Sequence, residues 1–278
     1  MTLDLTEKST SRTVRTTDWK IHYNEAGEGH PVLLLHGSGP GATGWSNFGP
    51  NMGALAEKYR VLAVDMPGWG KSDAVSFDER DHVEATLQLL DALEIEKAAF
   101  VGNSMGGMTT LRFATEHPDR MSHLITMGAG SPGPLLFGFG DGPTEGIKIL
   151  QEGYRDPSPE TMLELVRIMT FDPAFASESL AQQRSDAARS RPDHLANFIA
   201  GMSRGRPFLD LSALLDVEIP ALLFHGRDDR VVHFEHSLKL VSCLPDARLV
   251  LLNRCGHWAQ LEHADEFNRL VDNFLTSN

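Results

Sequence analysis

The sequence predicts an α/β protein whose mostly parallel central sheet is flanked by helices and interrupted by an inserted helical segment. Three observations support this fold class. Short apolar runs alternate with amphipathic stretches, and one long block lacks such apolar runs. Residues with reactive side chains directly follow several of the apolar runs. Of the 278 residues, 41% are hydrophobic and 23% are charged, which is typical of a globular chain with a large core.

Six apolar runs are predicted to form strands, because each is short, rich in aliphatic residues and bounded by polar residues, glycine or proline. They span residues 31–35, 60–64, 98–101, 123–127, 221–224 and 248–252. Helical spacing of apolar residues predicts helices over residues 81–93, 106–116 and 264–275. This alternation indicates a doubly wound sheet, which binds ligands at the carboxyl ends of its strands.

The block from residue 132 to residue 210 breaks the alternation. It contains helical patterns over residues 159–169 and 177–189 but no convincing strand. We therefore expect a core in two parts, residues 1–131 and 211–278, with residues 132–210 inserted between them as a helical cap or lid. An independent helical domain is the alternative. The cap is favoured, because the strand pattern resumes at residue 221 and the first part alone would lack strands.

Charge and cysteine content narrow the possible partners and compartments. The chain has 25 Lys and Arg residues and 38 Asp and Glu residues, so its net charge is −13. Nucleic acids and anionic membranes bind to a basic face, and this net charge argues against such partners. Two cysteines cannot form a disulfide framework, and the sequence shows neither a signal-like N-terminus nor an apolar run of about 18 residues. We expect a cytoplasmic protein with no nucleic-acid or membrane partner, and a homo-oligomer, a dimer or larger, as its assembly.

The pentapeptide Gly-Asn-Ser-Met-Gly at residues 102–106 follows a predicted strand and precedes a predicted helix. This is the context of a Gly-x-Ser-x-Gly nucleophile elbow, in which the glycines leave room for a serine on a tight strand-to-helix turn. The first amides of the helix would then face a developing negative charge. A glycine-rich tight turn is the alternative for the pentapeptide alone, so the assignment of Ser104 as nucleophile depends on its partners.

A serine nucleophile needs a base, and the base needs an orienting acid. Asp228 and Asp229 follow the predicted strand at 221–224, and His257 follows the strand at 248–252. The order Ser, Asp, His is that of α/β-hydrolase triads, and every member comes after a strand. Taken singly, each aspartate could be a solvated loop carboxylate and His257 a structural histidine, and spacing alone does not choose between Asp228 and Asp229.

Residues 36–41, His-Gly-Ser-Gly-Pro-Gly, follow the first predicted strand and resemble the oxyanion loop of these hydrolases. We expect the backbone N–H groups of Ser38 and Met105 to form the oxyanion hole. A dinucleotide-binding glycine loop is the weaker alternative, because Pro40 removes an amide that a phosphate cradle needs. No metal site is expected, since His233 and His236 are only a loose pair without further ligands.

Four segments make the sequence similar to the meta-cleavage product hydrolases, which have the α/β-hydrolase fold. They are residues 34–47, the elbow at 102–107, residues 226–230 and residues 255–260, and the likeness spans nearly the whole chain. The resemblance implies a triad of Ser104, Asp229 and His257, and so selects Asp229 over Asp228. It also implies that Arg184 of the cap clamps the dienoate end of a substrate. The residues implied to hold the same end are Gly39, Asn47, Asn103 and Trp258.

The activity implied by this resemblance is hydrolysis of a carbon–carbon bond in the 2-hydroxy-6-oxohexa-2,4-dienoates that form when dioxygenases open catechols. The products are 2-hydroxypenta-2,4-dienoate and a carboxylic acid, and no cofactor is involved. His257 would transfer the protons in both ketonisation and hydrolysis. Two routes for the hydrolysis stay open, an acyl-enzyme on Ser104 and direct attack by water through a gem-diol. The alternative activity is that of a carboxylesterase or another serine hydrolase on the same fold. A further alternative is a non-catalytic ligand receptor, but the intact triad argues against it.

The pocket for the substituent on C6 is expected to be lined by the cap, and alkyl and aryl tails both stay open. Its candidate residues are Phe137, Phe139, Met169, Phe171 and Phe175, although such residues at helical spacing more often form ordinary core. A net charge of −13 would repel an anionic substrate, but charges are screened over about 8 Å in physiological salt. We therefore expect Arg184 to be a desolvated cation at a pocket mouth that is otherwise acidic or neutral.

Overall fold

The computed structural model describes residues 5–138, 142–202, 204 and 209–277, and these contain one eight-stranded sheet. The strands are β1 (Ser11–Arg15), β2 (Lys20–Ala26), β3 (Pro31–Leu35), β4 (Arg60–Val64), β5 (Ala98–Asn103), β6 (Met121–Met127), β7 (Ala221–Gly226) and β8 (Ala247–Leu252). The α-helices are α1 (Glu7–Thr10), α2 (Gly44–Leu55), α3 (His82–Ala92), α4 (Met105–Glu116), α5 (Glu145–Arg155), α6 (Pro159–Met169), α7 (Glu178–Arg189), α8 (Pro192–Gly201), α9 (Glu235–Cys243), α10 (Ala259–Glu262) and α11 (Ala264–Ser277). Short 3₁₀ helices span Pro118–Arg120, Pro173–Phe175 and Leu211–Asp216. None of the helices described is long and apolar enough to cross a membrane.

The strand order across the sheet is β1-β2-β4-β3-β5-β6-β7-β8. The pairs β1/β2 and β2/β4 are antiparallel, and all other neighbouring strands run parallel. Every residue of the central strand β5 is buried, as expected for a parallel sheet covered on both faces. Because parallel strands end at one edge of the sheet, the loops after β3, β5, β7 and β8 meet there.

Two apolar cores cover the two faces of the sheet. Along β3, Leu33 and Leu35 belong to one core and Val32 and Leu34 to the other, since successive side chains of a strand point to opposite faces. All four side chains are almost completely buried. The rigid, doubly covered sheet therefore fixes the strand ends from which the site is built.

The predicted α/β architecture is confirmed, and all six predicted strands are present, the first two with unchanged limits. The helices predicted over residues 81–93, 106–116, 159–169, 177–189 and 264–275 also occur, within two residues of the expected limits. The strands β1 and β2, at the antiparallel edge, were not predicted from the sequence. Their mixed polar and apolar residues, among them the buried His22 and Asn24, hide the strand pattern.

Between β6 and β7 the described residues form α5 to α8 and no strand. These helices have an apolar core of their own, which includes Tyr154, Leu165 and Met169. Val231 and Trp258, from the loops after β7 and β8, pack into the same core. The helical segment therefore lies directly over the strand ends, while its limits at residues 132 and 210 stay a prediction.

Candidate active site

Ser104 stands at the turn between β5 and α4 with φ +51° and ψ −110°, a backbone conformation that side-chain-bearing residues rarely adopt. The turn is tightly packed on both sides. A Cβ on Gly102 would collide with the backbone of Gly106, and a Cβ on Gly106 would collide with the carbonyl of Leu35. The packing therefore explains both glycines of the pentapeptide, and the strained turn exposes Ser104 at the edge of the sheet.

Asp229 and His257 follow the adjacent parallel strands β7 and β8. The Nδ1 atom of His257 lies 2.7 Å from Oδ2 of Asp229, and both side chains are buried. The other carboxylate oxygen, Oδ1, accepts hydrogen bonds from the amides of Val231 and Val232 at 2.8 and 2.9 Å. A carboxylate held at both oxygens fixes the orientation of the imidazole, which is what a triad requires of its acid.

Asp229 also contacts a second imidazole, that of His225 in β7, whose Nε2 lies 3.2 Å from the same Oδ2. Burial raises the pKa of Asp229, but the charges and hydrogen bonds of His257 and His225 outweigh burial and hold that pKa below its ordinary value. Asp229 is therefore an anion at neutral pH. The neighbouring Asp228 instead faces Arg227, at 3.6 Å.

Gly128, directly after β6, shapes the space for the histidine. Its φ is +58°, and a Cβ placed on it would lie 2.8 Å from both Cε1 and Nδ1 of His257. Glycine is therefore required here for its backbone conformation and for its lack of a side chain. Gly128 was not predicted from the sequence, because a glycine after a strand is common to many turns.

The proposed oxyanion donors come from two elements, Ser38 from the loop after β3 and Met105 from the first turn of α4. As the first helical residue, Met105 has an amide without an intrahelical partner. The Ser38 carbonyl accepts a hydrogen bond from the Tyr154 hydroxyl at 2.6 Å, and the Gly106 amide donates to the His36 carbonyl at 3.1 Å. These bonds hold the loop against α4 and α5, which supports the prediction that the Ser38 and Met105 amides act together.

Two buried asparagines flank the serine. Asn47 Oδ1 accepts the Gly37 amide at 3.3 Å and so braces the loop after β3. Asn103 Nδ2 donates to the carbonyls of Met127 and His257, both at 3.3 Å. Asn103 Oδ1 is buried and accepts no hydrogen bond from the described residues. A buried acceptor without a donor is costly, so this oxygen is suited to a ligand hydroxyl or amide.

Arg184, on α7, is 4% exposed, and its guanidinium carbon lies 4.4 Å from the centroid of the Trp258 ring. Burial lowers the pKa of Arg184 to about 10, which leaves it charged at neutral pH. Its Nε is buried and has no hydrogen-bond partner within the described part of the chain. The burial expected of Arg184 is therefore confirmed, while its role as a cation that binds substrate stays a prediction. Nearby Arg189 is exposed, and Arg191 pairs with Asp193 at 2.8 Å.

One cavity at the strand ends brings the predicted site residues together. All of them except Asp229 and Met105 line it, and the two exceptions adjoin His257 and Ser104. The lining residues include Ser38, Gly39, Asn47, Asn103, Ser104, Arg184, His257 and Trp258, together with apolar residues of α5 and α6. A serine hydroxyl, an imidazole held by a buried carboxylate and a buried guanidinium thus share one small space.

The residues suggested for the C6 pocket are mostly elsewhere. Met169 lines the cavity, whereas Phe137 and Phe171 are 77% and 40% exposed. Phe175 packs against the core of the helical segment, and Phe139 lies outside the described residues. Helical spacing alone did not distinguish a pocket residue from a surface residue, because no local signal tells which face of the segment meets the sheet.

Residues 32–270 match the alpha/beta hydrolase family. The chain is 45% identical to 2-hydroxy-6-oxo-6-phenylhexa-2,4-dienoate hydrolase of Comamonas testosteroni, over 98% of both chains. It is also 45% identical to 2-hydroxy-6-oxononadienedioate/2-hydroxy-6-oxononatrienedioate hydrolase 1 of Dechloromonas aromatica, over 98% of this chain and 97% of that one. A mutant meta-cleavage product hydrolase from Pseudomonas fluorescens, solved with acetates, superposes with a TM-score of 0.86 at 32% identity, over 95% of this chain and 97% of that one.

Proposed function

This chain belongs to the α/β-hydrolase family and, within it, to the meta-cleavage product hydrolases, and on that premise we propose that it hydrolyses the C5–C6 bond of 2-hydroxy-6-oxohexa-2,4-dienoates. The products are 2-hydroxypenta-2,4-dienoate and a carboxylic acid. Such substrates arise when dioxygenases open catechols in the breakdown of aromatic compounds.

One observation of this chain carries the proposal beyond a generic serine hydrolase. The buried Arg184, stacked on Trp258, lines the same cavity as Ser104 and His257. A guanidinium without contact to water binds a carboxylate strongly, since both groups then form charge-assisted hydrogen bonds in a medium of low dielectric constant. The unpartnered Oδ1 of Asn103 would accept the 2-hydroxyl proton of the same dienoate end.

The first chemical step is ketonisation of the dienol. A carbon–carbon bond has no heteroatom leaving group, so an electron sink must be created before the bond can break. The proton leaves the 2-hydroxyl and is delivered to C5, and His257, oriented by Asp229, is the group that moves it. The product of this step has a ketone at C2, conjugated to the C3–C4 double bond, while Arg184 holds the adjacent carboxylate.

The second step is hydrolytic fragmentation. Either Ser104 or water assisted by His257 adds to the C6 carbonyl, whose oxygen the Ser38 and Met105 amides stabilise as it becomes negative. Collapse of this adduct breaks the C5–C6 bond, and the electron pair moves through C4 and C3 to the C2 oxygen. One water molecule is consumed overall, directly or by hydrolysis of an acyl-Ser104 ester, so atoms and charge balance in both routes.

The proposal is tested with a yellow ring-fission product, whose visible absorbance disappears when the conjugated dienolate is cleaved. We expect the purified protein to bleach it and to release equal amounts of dienoate and acid, measured by chromatography. Ser104→Ala should lower the rate by several orders of magnitude, while Ser242→Ala, an exposed serine on α9, should not. Failure of the unmodified protein to bleach any such compound, or full activity of Ser104→Ala, contradicts the proposal.

We further propose that residues 132–210 act as a cap over the site and that the protein is a cytoplasmic homo-oligomer. Packing of α5 to α8 on the loops after β7 and β8 supports the cap. The free thiols Cys243 and Cys255 fit a reducing compartment. The edge strand β8, with Leu251 exposed, offers a surface for self-association. Sedimentation at several concentrations tests the assembly, and a single monomeric species contradicts it.

A further inference from the structure

The Tyr154 hydroxyl lies at the centre of a short chain of hydrogen bonds. It accepts from the indole Nε1 of Trp69 at 3.0 Å and donates to the carbonyl of Ser38 at 2.6 Å. The same indole nitrogen also donates to the Gly39 carbonyl at 3.2 Å. Both rings are 2% exposed, and a hydrogen bond away from water is electrostatically stronger than one in water. Two successive carbonyls of the loop after β3 are therefore held by buried side chains.

The chemistry of the groups fixes the direction of these bonds. An indole N–H can only donate and a carbonyl can only accept, so the hydroxyl accepts from Trp69 and donates its own proton to Ser38. Burial raises the pKa of Tyr154, which keeps the hydroxyl protonated. Each bond of such a chain polarises the next, which strengthens the bond to the Ser38 carbonyl.

Holding the Ser38 carbonyl also orients the Ser38 amide. The two groups belong to adjacent planar peptide units, which are joined at the Cα by only two rotatable bonds. On the other side of the serine, Asn47 Oδ1 accepts the Gly37 amide at 3.3 Å. Within the described part of the chain, the Ser38 amide itself donates to no backbone carbonyl. It is therefore a well-oriented donor that a developing oxyanion could use.

Tyr154 belongs to α5, so the helical segment between β6 and β7 supplies this support. The preceding residue, Gly153, lets α5 approach the loop closely, since a Cβ there would lie 3.2 Å from Cγ of Pro40. Farther along the loop, a Cβ on Gly41 would lie 2.7 Å from the backbone nitrogen of Ala188 in α7. The loop is thus packed against two helices of the segment, which leaves its backbone little room to move.

The ring of Tyr154 is fixed independently of its hydroxyl. It stacks on Phe198 of α8, with ring centroids 3.7 Å apart and an interplanar angle of 6°. Trp69 meets the same phenyl ring edge to face, with centroids 6.0 Å apart. Aromatic contacts of this kind do not use the hydroxyl, so removing the hydroxyl alone should leave the packing of the ring in place.

We propose that Tyr154 is a positioning residue for the oxyanion hole, so that packing of the helical segment on the core sets the Ser38 amide for catalysis. The proposal rests on the proposed serine-dependent hydrolysis and adds a residue outside the triad, the oxyanion donors and the dienoate clamp. Tyr154 is not among the described residues that line the cavity of Ser104. It acts through the Ser38 peptide, so its effect should appear where a carbonyl oxygen becomes negative and not where a ligand only binds.

The test removes the hydroxyl with Tyr154→Phe. We expect kcat to fall about tenfold, both for a yellow ring-fission product and for a neutral p-nitrophenyl ester, because both reactions use the oxyanion amides. KM should stay within about twofold, since the ground state makes little use of these amides. The matched control is Tyr59→Phe, at a tyrosine that is 7% exposed and donates to Asp272 Oδ1 at 2.9 Å. It should shift the midpoint of urea unfolding about as much as Tyr154→Phe does and leave kcat unchanged.

Inhibition by phenyl trifluoromethyl ketone measures the oxyanion hole without turnover. The Ser104 oxygen adds to the ketone carbon, and His257 takes the hydroxyl proton. The former carbonyl oxygen becomes the anion that the Ser38 and Met105 amides would bind. Tyr154→Phe should weaken this inhibitor about tenfold. It should leave inhibition by 2-hydroxypenta-2,4-dienoate, which binds without forming an oxyanion, nearly unchanged.

Each outcome decides one of the two proposals. An unchanged kcat in Tyr154→Phe, or equal weakening of the ketone and the dienoate, would overturn the role of Tyr154 and leave carbon–carbon hydrolysis in place. If Tyr154→Phe does not fold, Trp69→Phe, which removes the indole donor, should show the same selective loss, and no such loss overturns the role. If the ester is cleaved but no ring-fission product is, the proposed function fails, and the ester and the ketone still decide the role of Tyr154. Absence of ester turnover and of ketone inhibition contradicts both proposals.

Discussion

Nε2 of His225 lies 3.2 Å from Oδ2 of Asp229, the same oxygen that His257 contacts at 2.7 Å. The Nε2 atom is also 2.8 Å from the carbonyl of Val232, which can only accept, so Nε2 carries a proton. Nδ1 of His225 is 2.7 Å from the Ser237 hydroxyl. His225 is therefore a buried donor that shares the Asp229 carboxylate with His257, the proposed base, and we infer that it is a positioning residue for Asp229.

We expect His225→Phe to lower kcat by about tenfold with little change in KM. This is the effect expected from loss of one hydrogen bond to an anion, worth about 1.5 kcal/mol. With one donor fewer, the carboxylate attracts the proton on His257 more strongly, so the acidic limb of the kcat profile should move to higher pH. His225→Gln, which can still donate from its amide, should restore part of kcat. The measurement is kcat and KM from pH 5 to pH 9.

The matched control for this prediction is Ser237→Ala, which removes the partner of Nδ1 but not the contact with Asp229. It should change kcat much less than His225→Phe does. An unchanged kcat and pH profile in His225→Phe would show that His225 only fills space beside the triad.

Gly128→Ala should damage catalysis and stability together. The new methyl group would lie 2.8 Å from the His257 ring and push it out of position. A displacement of about 1 Å lowers kcat by about a hundredfold, and the left-handed backbone adds a destabilisation of about 1–2 kcal/mol. The measurements are kcat for the ring-fission product and the free energy of unfolding in urea.

Gly133→Ala separates these two effects. Its φ of +86° imposes a similar backbone strain, but its Cβ would lie 3.8 Å from the nearest neighbour, the Lys239 Nζ. We expect a comparable loss of unfolding free energy and a nearly unchanged kcat. Equal losses of kcat in the two variants would mean that the Gly128 effect is one of stability only.

The sequence was enough to propose much of the candidate site, because its parts are local. Ser104 and His257 follow apolar strands, and a strand end is visible in a single sequence. Choosing Asp229 over Asp228, and finding Arg184, required the family resemblance, since α7 carries several arginines and only tertiary packing buries one. His225 was missed because it lies within β7, although a polar residue in an otherwise apolar buried strand was an available signal.

The antiparallel edge of the sheet was missed because its buried polar residues have distant partners. In β2, His22 and Asn24 are buried, but both are hydrogen-bonded. His22 contacts the Asp65 carboxylate at 2.8 Å, and Asn24 donates to the Thr10 hydroxyl at 2.8 Å. Partners distant in sequence make buried polar residues tolerable, and apolar periodicity does not reveal them.

His194 predicts an acid sensitivity of folding. Burial, reinforced by the nearby charge of Arg191, lowers the pKa of His194 to about 4. Between about pH 6.5 and pH 4 the unfolded chain therefore binds a proton that the folded chain does not, so stability falls as the pH drops through this window. Allowing for partial screening by solvent, we expect a contribution of about 1–2 kcal/mol.

The measurement is urea unfolding at pH 7 and pH 5. Glutamine at position 194 cannot take up this proton. Between the two pH values, His194→Gln should therefore lose about 1–2 kcal/mol less unfolding free energy than the unmodified protein does. His263→Gln, at a ring that is partly exposed, serves as the control and should behave like the unmodified protein. Identical pH dependence in His194→Gln would contradict the assignment.

Arg184 distinguishes carbon–carbon hydrolysis from ordinary ester hydrolysis on the same triad. A neutral ester uses Ser104, His257 and the oxyanion amides but has no carboxylate for the buried guanidinium. We expect Arg184→Met to lower kcat/KM for a dienoate by about 10- to 100-fold, the range for a charge-assisted bond, and to change turnover of a neutral p-nitrophenyl ester far less. Arg189→Met, at an exposed arginine on the same helix, should leave both rates near those of the unmodified protein. If Arg184→Met lowers both rates equally, Arg184 supports the packing of Trp258 and does not bind the carboxylate. If the unmodified protein cleaves the ester orders of magnitude faster than the dienoate, the chain is a carboxylesterase.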